Sequence, residues 1–229
     1  EPGVSAGERP GTPSAPIAPG PLKDVLKNRN ILLSIVIFSG FMTYLMAFQV
    51  FGPMYLTSEK DFSPMDMSYV MAAFGLGTAV WGFVVPLISD RIGRRPSAVM
   101  FGLLSVIAPL CLLYFDNSIA MAFAVFLFAA GMGVGGLAMS VIPTESVSPV
   151  HVGLAVGLPA GAGELIGGVL NPALTGIAAD EFGLAVALFV SSAGALVATF
   201  FALFLKETAP QVVAAQESGK VPEVSAGNL

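Results

Sequence analysis

The sequence predicts an all-α, polytopic membrane protein of six transmembrane helices, built as two three-helix units of opposite orientation. Three observations carry that reading. Of 229 residues, 55% are hydrophobic and 11% charged, against about a quarter charged in soluble domains, and the mean hydropathy is +0.82. Six apolar runs each come close to or exceed the roughly 20 residues that a helix needs to cross a hydrocarbon core of about 30 Å. One short turn sequence recurs after the second and the fifth run. The composition also sets aside several function classes. A net charge of −5 leaves no basic face for nucleic acid. The single cysteine, Cys111, lies in an apolar run, so no internal disulfide framework and no cysteine-built metal site is expected.

Taken in order, residues 1–22 are rich in Pro, Gly, Ala and Ser without apolar periodicity, and read as a disordered cytoplasmic linker. Residue 1 is Glu rather than Met and no signal segment precedes the first span, so the chain is expected to be cut from a longer one. The transmembrane domain covers 23–209. Lys23, Lys27 and Arg29 lead into the first run, Ile31 to Phe51, which Gly52-Pro53 should kink or end. After a polar loop from Ser58 to Met67, Ser63-Pro64-Met65-Asp66 has the form of a helix start: a hydroxyl cap, Pro at the first helical position, an acid in the first turn. The second span then runs to about Ser89, and the third from Pro96 to Tyr114. Asp116-Asn117-Ser118 makes a turn and cap, and the fourth span runs to Ile142, closed by Pro143. The fifth, Val152 to Ala179, is unusually rich in Gly and holds Pro159 and Pro172. The sixth runs from Leu184 to Leu205, and residues 210–229 are expected to be a disordered cytoplasmic tail.

Orientation follows from the basic residues. With six spans both termini share one side. That side collects Arg9, Lys23, Lys27, Arg29, Arg91, Arg94, Arg95, Lys206 and Lys220, leaving only Lys60 opposite. The termini and the charged loop after the second span are therefore expected in the cytoplasm. The repeated turn fits this layout: Pro86–Gly93 follows the second span and Gly176–Gly183 the fifth, with Asp90 and Asp180 ninety residues apart. Two three-span units in opposite orientations would give that pattern, which is typical of secondary transporters.

The charged loop resembles the signature of the major facilitator superfamily, G-x-x-x-D-(R/K)-x-G-R-(R/K), found between helices two and three and again between eight and nine. Asp90, Arg91, Gly93, Arg94 and Arg95 match it, while Pro86 replaces the leading Gly. The polar linker resembles the family's central loop. Pro143-Thr-Glu145-Ser resembles the acid after helix ten, and Leu205-Lys-Glu-Thr208 the close of helix twelve. Over about residues 23 to 209, the resemblance implies the C-terminal half of a twelve-helix carrier of a small solute. A missing N-terminal six-helix half would then complete the pathway. No cofactor or enzyme activity is implied. A half-size transporter acting as a dimer is the nearest variant, and a non-transporting membrane scaffold or assembly subunit the alternative from another class.

The loop's chemistry can be argued without the family. Gly93 allows a tight turn, and Asp90 with Arg91, Arg94 and Arg95 can form charge-assisted hydrogen bonds. Glu145 lies on the same side and is a reachable partner for an arginine. These residues are expected to form a cytoplasmic gate, closed in one conformation and open in the other.

Glu164 falls near the middle of the fifth span, where an ionisable side chain costs roughly 2.5 kcal/mol or more and reads as functional. At 100° per residue, Gly157, Gly161, Glu164, Gly168, Asn171 and Thr175 share a stripe expected to face the bundle interior. Desolvation there would favour the neutral form of the acid, which suits proton coupling. Gln49 in the first span is the second candidate lining group, and Gln49, Glu164 and Asn171 are expected to meet along a substrate or proton pathway. Tyr44 and Trp81 read as packing or lipid-facing groups. Gly131-Met-Gly133-Val-Gly-Gly136 fits a nucleotide-binding pattern but lies inside an apolar span with no strand before it, so helix packing is expected. His151, the one histidine, reads as a plain loop residue.

Overall fold

A computed structural model describes residues 22–218, of which 87% are helical; no strand occurs among them. Among the described residues six helices are long and apolar enough to cross a membrane: Arg29–Ser58, Pro64–Ile92, Arg94–Tyr114, Ser118–Glu145, Pro149–Phe182 and Ala185–Ala202. Of the expected linker at residues 1–22, all but Leu22 lies outside the described residues, as does the last part of the tail, 219–229; Leu22 opens a short helix, Leu22–Lys27.

The helix starts read from sequence form as expected. Ser63 Oγ accepts the Asp66 N–H at 3.1 Å, with Pro64 at the first helical position. Asn117 Oδ1 accepts the N–H groups of Ile119 and Ala120, both at 3.0 Å. Other boundaries differ. Gly52-Pro53 does not end the first span, which continues to Ser58. The turn beyond Pro53 carries Tyr55 and Leu56, both buried in the core, and that packing outweighs one missing backbone hydrogen bond. The start of the expected tail is also helical, over Pro210–Glu217. Pro210 suits a first helical position, and Val212, 8% exposed, anchors the turn.

Inside a membrane, helices associate through close packing rather than water exclusion, and here glycines set the approach. A Cβ on Gly40 would lie 2.7 Å from the Gly194 carbonyl oxygen, and one on Gly194 2.7 Å from that of Gly40, so the first and sixth spans touch backbone to backbone. Gly131 seats the Tyr44 ring, Gly133 the Val85 side chain and Gly135 the Phe41 ring. The glycine-rich run of the fourth span is thus a packing surface, in line with the sequence reading. Tyr44 is fully buried, and Trp81 Nε1 donates to the Phe126 carbonyl at 3.1 Å.

The repeated turn is repeated in backbone geometry. Among the described residues Gly93 (φ 109°, ψ 155°) and Gly183 (φ 87°, ψ 160°) are the glycines with positive φ. Each donates its N–H to the residue four before it, Ser89 and Ala179. Each turn is followed by a backbone N–H held by a distant glutamate. Arg94 N donates to Glu207 at 2.7 Å, and Leu184 N donates to Glu59 at 2.8 Å. The two turns stand at opposite ends of the bundle, called below the Arg94 end and the Lys60 end.

Burial follows the same symmetry. Within the apolar windows of the six spans, the second is 17% buried and the fifth 22%, whereas the other four lie between 50% and 61%. The second and fifth are the equivalent members of the two three-helix units.

A candidate charge cluster and an exposed mid-span carboxylate

At the Arg94 end the third span begins directly after Gly93, which places the Arg94 side chain under the loop, only 6% exposed. Four of its five guanidinium N–H groups have partners among the described residues. Nη2 donates to Glu145 Oε1 at 2.7 Å and Nε to Oε2 at 3.2 Å, a two-pronged grip on one carboxylate. Nη1 donates to Ser89 Oγ at 2.6 Å and pairs with Asp90 Oδ1 at 2.5 Å. Glu145 also accepts the Thr208 hydroxyl at 2.6 Å. Paired, charge-assisted bonds of this kind are the strong class of hydrogen bond, and they join the end of the second span, the start of the third, the end of the fourth and the segment after the sixth.

Of the six residues expected to form the gate, the structure therefore brings together Asp90, Arg94 and Glu145 and gives Gly93 its turn. Arg91 and Arg95 are exposed and make no ion pair among the described residues. Sequence reasoning missed Glu207. Its carboxylate accepts four backbone N–H groups, those of Arg94, Arg95, Thr208 and Ala209, at 2.7 to 3.2 Å. It thereby caps the third span, whose first N–H groups have no intrahelical partner. A Cβ at Gly93 would stand 2.5 Å from Glu207 Oε2, so the positive φ and the close carboxylate both call for glycine there. Asn30 extends the network: its Nδ2 donates to Ser146 Oγ and to the Lys206 carbonyl, both at 3.2 Å, and its Oδ1 accepts Lys206 N at 3.0 Å.

In the fifth span the expected stripe is divided, which corrects the sequence reading. The residues facing the bundle are Ala155, Pro159, Gly163, Gly167, Thr175 and Ala179. Gly163 packs on the Phe38 ring and Gly167 on the backbone of Met42 and Thr43. A Cβ on Gly157 or Gly161 would meet nothing within 4 Å beyond its own helix backbone among the described residues, and Glu164 is exposed on the surface of the unit. The cause is a change in winding: Glu164–Leu170 is π-helical, so the constant 100° per residue of an α-helix no longer applies. A four-residue spacing drifts about 40° per step on an α-helix; the wider turns offset much of that drift and hold one face against the first span.

Glu164 folds back over its own helix, its Oε2 lying 2.8 Å from where a Gly168 Cβ would stand. It makes no hydrogen bond or ion pair among the described residues. Asn171, half-buried, donates to the Thr43 carbonyl at 3.5 Å and accepts the Thr175 hydroxyl at 3.1 Å. Gln49 is exposed and joins neither. The first and fifth spans run parallel, with Gly163 at Phe38, Gly167 at Met42 and Gly176 at Phe51. That register sets Glu164 about ten residues, or about 15 Å along the axis, from Gln49. The three expected pathway residues therefore do not form one cluster; Asn171 is tied to the first span, and Glu164 is open.

Among the described residues no group of three His, Cys, Asp or Glu could hold a metal ion. His151 closes a 3-10 turn and is buried, and so is not the plain loop residue expected from the sequence.

The sequence profile of the Major Facilitator Superfamily matches residues 32–227. No curated protein matches the chain. That family consists of membrane transporters rather than enzymes, which bind small-molecule substrates in a lipid bilayer. Six membrane-length helices and a match along most of the sequence lead to one assignment: the chain belongs to the Major Facilitator Superfamily and is an integral membrane transporter of that type.

Proposed function

We propose that this six-helix unit is the C-terminal half of a secondary active carrier that moves a small solute by alternating access, with Glu164 as a proton-coupling acid. One observation carries the reading. The repeat-related second and fifth spans are the least buried of the six, and the fifth bares near the middle of its length a carboxylate without a partner among the described residues. A carboxylate at that depth facing hydrocarbon alone would be costly. It is better served by a polar path between this face and a second six-helix unit, the arrangement in which such carriers place their sites. The same exposed spans would serve a second copy of this chain, and the size of the native transcript distinguishes the two.

The Arg94 end is the cytoplasmic one in this reading, because seven of the eight Lys and Arg residues among the described ones fall on that side. The cluster of Asp90, Arg94 and Glu145 would act as the cytoplasmic latch, keeping four helix ends together as the unit rocks, with Gly93 turning the chain and Arg91 and Arg95 setting topology. The test is uptake of a small-solute panel into proteoliposomes by the full-length carrier, with and without an imposed proton gradient. Glu164→Gln should abolish gradient-driven accumulation while leaving solute exchange at equilibrium. Accumulation at the wild-type rate in the variant would refute proton coupling at this residue.

A further inference from the structure

We propose that the Arg94 end carries a binding site for the head group of an anionic phospholipid, formed by Arg29, Arg95 and Lys206 beside the end of the sixth span. An open depression of about 1040 Å³ is lined by these three cations together with Leu203 and Phe204. A second depression of about 460 Å³ adjoins it and adds Lys27, sharing Arg29 and Lys206. The cations come from three places in the chain: the first turn of the first span, the first turn of the third, and the segment after the sixth. All are exposed, and none of their side chains makes an ion pair or hydrogen bond among the described residues. Convergence of unpaired cations is repulsive unless an anion is shared between them.

The acid in the same wall does not neutralise them. Glu207 lines both depressions, but its oxygens are taken up by four backbone N–H groups at the start of the third span and after the sixth. Its charge is thereby matched to a helix N-terminus, and the three cations are left for an external anion.

The apolar part of the site selects a lipid rather than a free anion. Leu203 and Phe204 are 42% and 44% exposed at the depression. Phe200 and Leu196, 55% and 53% exposed, continue down the same span. Basic groups above an apolar, aromatic flank match a phosphate head group with its acyl chains along the helix, and basic pockets at membrane-protein flanks recognise such head groups. Arginine adds a planar fork suited to phosphate oxygens. The site is separate from the exposed face of the fifth span that bears Glu164, and so does not rest on the transport reading.

The experiment measures anisotropy of a fluorescent short-chain phosphatidylglycerol titrated with the purified full-length protein in a neutral detergent. Phosphatidylcholine of equal chain length and inorganic phosphate serve as competitors, and native mass spectrometry counts bound lipid. Each cation contributes on the order of fivefold in affinity, so R29Q/R95Q/K206Q should weaken binding on the order of 100-fold. Arg91→Gln, an exposed arginine outside the depressions, should leave affinity within about twofold. Phosphatidylcholine and inorganic phosphate should compete poorly. Retained affinity in the triple variant, or equal competition by phosphatidylcholine, would overturn the site. Inorganic phosphate displacing the lipid at matched concentration would overturn the lipid as its occupant.

Discussion

The Arg94–Glu145 pair is the interaction whose removal should be felt most, and a double-mutant cycle measures it directly. Arg94 has 7% of its side chain exposed and Glu145 19%. Breaking a buried pair by removing one partner costs about 3–5 kcal/mol, because the other charge is left unpaired in a dry site. Glu145 retains some solvent contact and the Thr208 hydroxyl, so Arg94→Ala should fall at the low end, about 3 kcal/mol. Asp90 differs. Its side chain is 51% exposed and lies four residues before Arg94 on the same stretch of chain, so Asp90→Ala should cost about 0.5 kcal/mol. The cycle of Arg94→Ala and Glu145→Ala, read by unfolding in mixed micelles with Trp81 fluorescence, should give a coupling energy of about 2 kcal/mol. Arg94→Lys should recover little of it, since an ammonium cannot reproduce the two-pronged contact. A coupling below about 0.5 kcal/mol, or an Asp90→Ala cost equal to that of Glu145→Ala, would refute the ranking.

Three further outcomes are expected. Glu207→Ala uncaps the third span and should destabilise by about 1–2 kcal/mol in the same unfolding assay. Gly93→Ala should cost at least about 1 kcal/mol for its positive φ, and in combination with Glu207→Ala should cost less than the sum, because the Cβ would occupy the space of that carboxylate. Tyr44 is buried, and its hydroxyl lacks a partner among the described residues, so Tyr44→Phe should leave stability unchanged or raise it by about 1 kcal/mol in thermal unfolding; a clear loss would mean that the hydroxyl is satisfied.

What could be read from the sequence was what is local or set by topology. Ser63 and Asn117 announce helix starts because each cap closes within three residues. Glu145 could be paired with an arginine because an even number of spans puts both on one side. Glu207 gave no such signal: the helix it caps starts at Arg94 and Arg95, more than a hundred positions away, and the backbone N–H groups it binds leave no mark in sequence. The fifth span was misjudged for a different reason. Its small and buried residues at Ala155, Pro159, Gly163, Gly167, Thr175 and Ala179 fall at multiples of four, a spacing that uniform α winding cannot keep on one side. That spacing is the mark in the sequence of a change of pitch; a fixed pitch would turn Glu164 inward.

The π-helical stretch at Glu164–Leu170 also bears on how the fifth span tolerates changes in length. A π turn holds more residues than an α turn for the same circuit, so the stretch contains slack in the manner of an absorbed insertion. Losing one residue from Leu165 to Leu170 would let the segment rewind as ordinary α-helix while Asn171, Thr175 and Ala179 kept facing the first span. Losing one residue between Val152 and Gly163 would instead turn every later contact about 100° away. The span can thus give up length at its centre and not at its start.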